Sequence, residues 1–308
     1  MTGRRRTLAG GALVVAAGSV AAWSLAYPQS SLTITLVRAV ADCAAVVTLG
    51  LAAVPMLDDD RYRDELTRRA GAPLAVAAAL WLVAELTRLI LATAEAAAVP
   101  VERLGVATVV EFALDTSAGR AGLFGVAAAA LVCAATVGAP RTVLINVVVA
   151  GVAAVGVAAR VLTGHFAESP LGGVAVAMHA LAAALWCGAL AGLVLTVEHR
   201  GQWARVLPRF SRLSLWCVVA LLAGGLAGAA MRLGSPEDLY ATGYGRVLSA
   251  KVAVTAALVV LGWRNRTIWL PAARSHRATA VVSRSRSLTE LAVMAVALAL
   301  AAGLAATG

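Results

Sequence analysis

The sequence predicts an all-α, polytopic transmembrane helical bundle of about nine spans, with the N-terminus cytoplasmic and the C-terminus extracytoplasmic. Three observations predict it. Hydrophobic residues make up 61% of the 308-residue chain and charged residues only 14%, with a mean hydropathy of +0.85, whereas a soluble domain carries about 25% charged residues. The apolar residues fall in repeated runs of roughly 20, the length a helix needs to cross hydrocarbon. Basic residues alternate from one connection to the next: 18 of the 26 lie on one set of connections and four on the other, the pattern of a positive-inside membrane protein. The net charge of +10 is therefore read as topology, and nucleic acid is not an expected partner; the lipid bilayer is.

The spans follow in order. "MTGRRRTLAGGALVVAAGSVAAWSLAY" has a basic head and an apolar run that ends on an interfacial tyrosine, Tyr27. It is read as a retained first span, 8–27, rather than a cleaved signal peptide. The second and third spans are expected at 33–57 and 73–94, the fourth at 120–138, the fifth at 142–162 and the sixth at 171–197. The last three are expected at 213–233, 246–263 and 288–307. Pro28, Pro73, Pro140, Pro170 and Pro236 are taken to mark the joins. The stretch 101–119 carries Glu111 and Asp115, which makes it too polar to cross, so it is expected to lie along the interface. The chain divides accordingly into an N-terminal module, 1–140, with four spans and that interfacial helix, and a second module, 141–308, with five.

Charges at membrane depth need a partner or a task. Arg38 and Asp42 stand four residues apart in the second span, and Glu85 and Arg88 three apart in the third. Each pair shares a helix face. Counted from the outer ends, Arg38 and Arg88 lie about six residues in, and Asp42 and Glu85 about nine. The four should build one charged layer about 9–14 Å below the outer surface. That layer is either a neutralised quartet that fixes helix packing or the wall of an ion pathway. Lys251, the single lysine, sits about one turn inside the eighth span below Tyr244 and Arg246. Snorkelling explains it; a role in repelling or releasing cations is the alternative. Glu290 is placed at the inner start of the ninth span, where a helix N-terminus favours an acid.

The stretch "AMHALAAALWCGAL" buries His179 in an apolar run. Trp186 shares its face, and Cys187 lies about 80° around the helix. His165 is expected at the outer mouth just before this span. Two imidazoles at and below one membrane surface suit a borderline or soft cation such as copper. Met178 and Met231 could add thioether sulfur, which suits Cu(I). The plain alternative for His179 is an interhelical hydrogen bond. Cys187 and Cys217, toward the inner half, either extend a soft-ligand track or are small core residues. "GALAG" and "GGLAG" signal close helix packing. The four cysteines are scattered with no CxxC, and no Walker loop, GxSxG, HExxH or dinucleotide fingerprint is present. An enzyme is not expected.

An ordered set of short stretches then resembles the copper-resistance D family of inner-membrane proteins. The stretches are "TGH" (Thr163–His165), "MHALAAALWCG" (with His179, Trp186 and Gly188), "RFSRLSL" (Phe210, Ser211, Arg212), "TGYGRVLSAK" (Tyr244, Gly245, Arg246, Lys251), "GWRNR" (Asn265, Arg266) and "SLTEL" with Glu290. The N-terminal half is similar to the leader module of actinobacterial versions, in which a copper-resistance D part is often fused to a cytochrome oxidase assembly part. That second part is not expected in this chain. The resemblance implies copper handling, most often uptake across the cytoplasmic membrane. A copper carrier or oxidase assembly factor on the outside is an implied partner. It raises His165 and His179 as metal-contacting residues without giving a ligand set. Two rival functions remain: a haem-binding redox protein of the b-type cytochrome kind, and a non-transporting partner that delivers copper to oxidase assembly.

Overall fold

The computed structural model describes residues 2–162, 170–232, 237–275 and 277–307, and among them the regular structure is all helix, with no strand. The helices are α1 (Thr2–Ala26), α2 (Leu32–Ala53), α3 (Asp60–Ala96), α4 (Val106–Asp115), α5 (Ser117–Gly138), α6 (Val143–Leu162), α7 (Pro170–Thr196), α8 (Arg200–Arg232), α9 (Asp238–Ala241), α10 (Gly243–Arg264), α11 (Leu270–Arg274) and α12 (Ala280–Leu304). Nine of these described segments are long and apolar enough to cross a membrane, matching the expected spans one for one. The short α4 takes the place of the stretch expected to lie along the interface.

Three spans begin at least eight residues earlier than the sequence suggests. Helix α3 starts at Asp60 and runs through Pro73, α8 starts at Arg200 and runs through Pro208, and α12 starts at Ala280. Pro73 is thus inside a helix and not at a join. The reason is that apolarity ends where the membrane ends, but the helix does not. The extra turns carry charge and are tied down by it. Arg205 grips the fully buried carboxylate of Asp58 through two bonds of 3.0 and 3.1 Å, and its guanidinium lies 3.9 Å from the centre of the Tyr62 ring. Arg209 pairs with Asp59. This bidentate clamp ties the α2–α3 turn to the start of α8.

Helices α2 and α7 form the centre. They cross backbone to backbone. A Cβ on Gly50 would fall 1.8 Å from the carbonyl oxygen of Gly188, one on Gly188 would fall 2.2 Å from the carbonyl oxygen of Val46, and Gly192 meets Gly50 and Val54 in the same way. Gly188 and Gly192 are the ends of "GALAG", which does serve packing. In lipid, hydrocarbon tails are as apolar as leucine, so close backbone approach rather than exclusion of apolar surface holds such helices together. Around this pair α3, α5 and α6 pack on one flank, α8 and α11 on another, and α1, α10 and α12 on a third. Large apolar side chains such as Val76, Val83, Phe124, Leu131, Trp216 and Leu226 face outward, while Thr48, Glu85, Asn265, Ser287 and Glu290 are buried, as a chain surrounded by lipid requires.

Replacing Gly50 or Gly188 by leucine should force α2 and α7 apart, at about 3 kcal/mol or more. Thermal unfolding in detergent checks this, and a melting temperature equal to that of the wild type would show that the crossing is not tight.

Candidate functional site

Two polar regions lie inside the bundle. The first is the charged layer. Trp81, Glu85 and Arg88 occupy one face of α3. The carboxylate of Glu85 is fully buried; it accepts the Trp81 indole N–H at 2.9 Å, Arg88 Nε at 3.0 Å and Arg160 Nη1 at 2.9 Å. The same Arg160 nitrogen lies 2.9 Å from Asp42. Glycines make the room: a Cβ on Gly125 of α5 would fall 2.9 Å from Glu85 Oε2, and one on Gly156 of α6 would fall 2.9 Å from the Trp81 ring. A carboxylate in such a place is tolerable because three donors surround it and two of them carry charge.

The expected layer therefore exists, but its pairing differs. Asp42 is bridged to Arg160 of α6 and not to Arg38. Arg38 instead donates to the carbonyl of Ala305, beyond the end of α12. Helix neighbours at i,i+4 offered a local partner, and tertiary packing supplied a better placed one. Arg160 was the residue missed. Its signal was in the sequence: a lone arginine in the last turn of an apolar helix, near the outer end that Arg38 and Arg88 also approach. Arg38 feels the charges of Arg88, Asp42, Arg160 and Glu95. It also lines an open cavity of about 390 Å³ with Gln29, Ser30, Glu95 and Ala306.

The second region follows α7. His179 is partly buried, and its Nδ1 lies 2.7 Å from the Leu221 carbonyl of α8. The ring rests on two glycines of "GGLAG": a Cβ on Gly225 would meet Nδ1 at 3.0 Å, and one on Gly224 would meet His179 Cβ at 3.0 Å. A carbonyl cannot donate, so Nδ1 carries the proton and Nε2 keeps its lone pair. Lys251 acts electrostatically on both His179 and Asp42, linking the two regions. Two turns further along α7, Trp186 is buried with no partner for its indole N–H, and Cys187 beside it is buried as a free thiol.

Glu290 is placed differently from expectation. Because α12 starts at Ala280, it lies ten residues inside the helix, is 3% exposed, and accepts a 2.7 Å hydrogen bond from Asn265. Asn265 opens a π-helical segment, Asn265–Trp269, that turns both of its end residues inward. Such segments recur at functional sites. Arg246 caps the end of α1 through the carbonyls of Leu25 and Tyr27, a structural role; Tyr244 stands beside it in the first turn of α10. Met178 is 48% exposed, on the outside of the bundle. His165 and the side chain of Met231 lie outside the described residues. Among the described residues no three His, Cys, Asp or Glu side chains converge as a metal cage.

Two family models match the chain. One, described as "Copper resistance protein D-like, N-terminal domain", covers residues 28–174; the other, "Copper resistance protein D", covers 204–304. The chain belongs to the copper-resistance D family. It is a multi-pass plasma membrane protein. A relative in Bacillus subtilis (strain 168), "Copper transport protein CutJ", is 31% identical over 114 residues, which are 34% of this chain. The chain spans about a fifth, 21%, of that curated relative. No solved structure matches the chain. Residues 175–203, which carry His179, Trp186 and Cys187, lie between the two matched stretches.

Removing the carboxylate with Glu85→Ala leaves Arg88 and Arg160 without their shared partner. The expected loss is about 3–5 kcal/mol, seen as a lower melting temperature in detergent. Unaltered melting would mean that the layer does not hold the helices.

Proposed function

We propose that this copper-resistance D protein is a permease, not an enzyme, that takes copper from the extracytoplasmic side and releases it at the arginine-rich cytoplasmic side. The observation that carries this reading is the placement of His179. A metal-ligating imidazole is usually held by a hydrogen bond from its other ring nitrogen to a carbonyl or carboxylate, and the Nδ1–Leu221 contact supplies that bond. Nε2 is then unprotonated, with a lone pair to offer a borderline or soft cation.

The residues beyond it continue the chemistry. Cys187 and its neighbours Cys43 and Cys217 offer soft sulfur, which suits Cu(I), and Glu290 offers a carboxylate in the inner half. No cage is required of a pathway; a string of weak single ligands lets the ion leave as readily as it arrives. The charged layer supplies a gate. Arg38, Arg88, Arg160 and Lys251 outnumber Asp42 and Glu85, so the layer repels a free cation until one carboxylate is exchanged between partners. In this reading the N-terminus is cytoplasmic and the C-terminus outside, as the positive-inside pattern of the arginines supports. A carrier or an oxidase assembly factor on the outer face would present the ion. A bis-histidine haem has one described intramembrane imidazole to use, His179, and gains no support from the arrangement.

His179→Ala should abolish copper-dependent uptake at normal expression, measured with radiocopper in whole cells. Gly225→Ala, which pushes on the ring, should lower uptake while leaving the amount of protein unchanged. Uptake at the wild-type rate in His179→Ala would overturn the permease reading.

A further inference from the structure

At the arginine-rich end of the bundle, α8 and the α10–α11 segment enclose a cavity of about 360 Å³ lined by Pro208, Ser211, Arg212, Arg266, Leu270 and Arg274. Three of its six walls are guanidinium groups and none is a carboxylate. Arg266 is fixed, donating through Nη1 to the carbonyl and the hydroxyl of Ser211, both at 3.0 Å. Arg212 and Arg274 are exposed and have no carboxylate partner among the described residues. Some arginines of the same end are instead neutralised by acids. Arg63, Arg69, Arg205 and Arg209 each have one. A positive-inside bias alone explains basic residues at this end; it does not explain three of them around one hollow with no acid.

The surroundings say what fills it. Trp216 is four residues after Arg212 on α8, and Trp263 three before Arg266 on α10, so each shares a face with its arginine. Both are exposed, 73% and 68%, and both lie about one helical turn deeper toward the membrane. Exposed indoles at that level mark the lipid headgroup region. The hollow therefore opens where phosphates of the inner leaflet stand, with an apolar wall below for acyl chains. Arginine forks match phosphate oxygens through paired hydrogen bonds.

We propose that this cavity is a binding site for the phosphate of an anionic phospholipid headgroup. It is separate from the copper pathway. The lipid bridges α8 to the π-helical segment through Arg212, Arg266 and Arg274, and so braces the segment that holds Asn265 against Glu290. Arg266, already anchored, sets the position of the phosphate; Arg212 and Arg274 close on it from the two helices.

The test is native mass spectrometry of the full chain released from detergent after titration with phosphatidylglycerol or phosphatidylcholine. Wild type should retain phosphatidylglycerol in preference to phosphatidylcholine. The variant Arg212→Gln/Arg274→Gln should bind phosphatidylglycerol roughly thirty-fold more weakly, with binding of phosphatidylcholine unchanged. Both side chains are exposed, so the variant is expected to fold, and Arg212→Lys/Arg274→Lys should recover most of the affinity. Equal retention of the two lipids by wild type, or full retention of phosphatidylglycerol by the glutamine variant, would overturn the site. Displacement of phosphatidylglycerol from wild type by inorganic phosphate at matching concentration would overturn the lipid as its source and assign a soluble phosphate instead.

Discussion

The backbone crossing of α2 and α7 is the contact on which the rest of the bundle depends. Where a methyl group would stand on Gly50, the carbonyl of Gly188 stands instead. No side chain can occupy that point, so the two helices approach backbone to backbone. Everything chemical sits a few turns from it. Cys43 is two turns from Gly50 on the same face of α2, and Cys187 adjoins Gly188 on α7. Asp42 and Arg38 stand further along α2, and His179 further along α7. A looser crossing would shift Cys187 and His179 on α7 relative to Cys43 and Asp42 on α2.

The second constraint is that lipid offers no hydrogen bonds. Each buried polar group must therefore find a partner inside the protein. Glu85 satisfies this with an indole and two guanidiniums, Glu290 with an amide, and His179 with a main-chain carbonyl. These partners come from different helices, so the polar groups also specify which helices are neighbours. The Trp186 indole contrasts with these: like the Thr48 and Ser287 hydroxyls it is buried with no partner, and it lies on the face of α7 that also bears His179.

The two stretches matched by family models meet in space through α7. The N-terminal stretch supplies α2, α3, α5 and α6, with the charged layer; the C-terminal stretch supplies α10 and α12, with Lys251, Asn265 and Glu290. Helix α7 touches both, and the Arg205–Asp58 clamp ties them again at the arginine-rich end. A path through the protein that uses His179 and Cys187 thus runs along the seam rather than within either half.

The sequence by itself determined the all-helical membrane class and the number of spans. These depend on apolar length and on helical rise, which are local and additive. It also marked His179 and Glu85 as groups at membrane depth that need a reason. Only the tertiary structure decided who their partners are. Arg38 and Asp42 are neighbours along α2, yet Asp42 joins Arg160, 118 residues away. Glu290 looked like a helix-start acid until α12 proved to begin ten residues earlier and a π-helical turn brought Asn265 to meet it. The physical reason is common to both. A charge in hydrocarbon is paired by whichever donor the packed helices bring closest, and spacing along a single helix does not reveal which neighbour that will be.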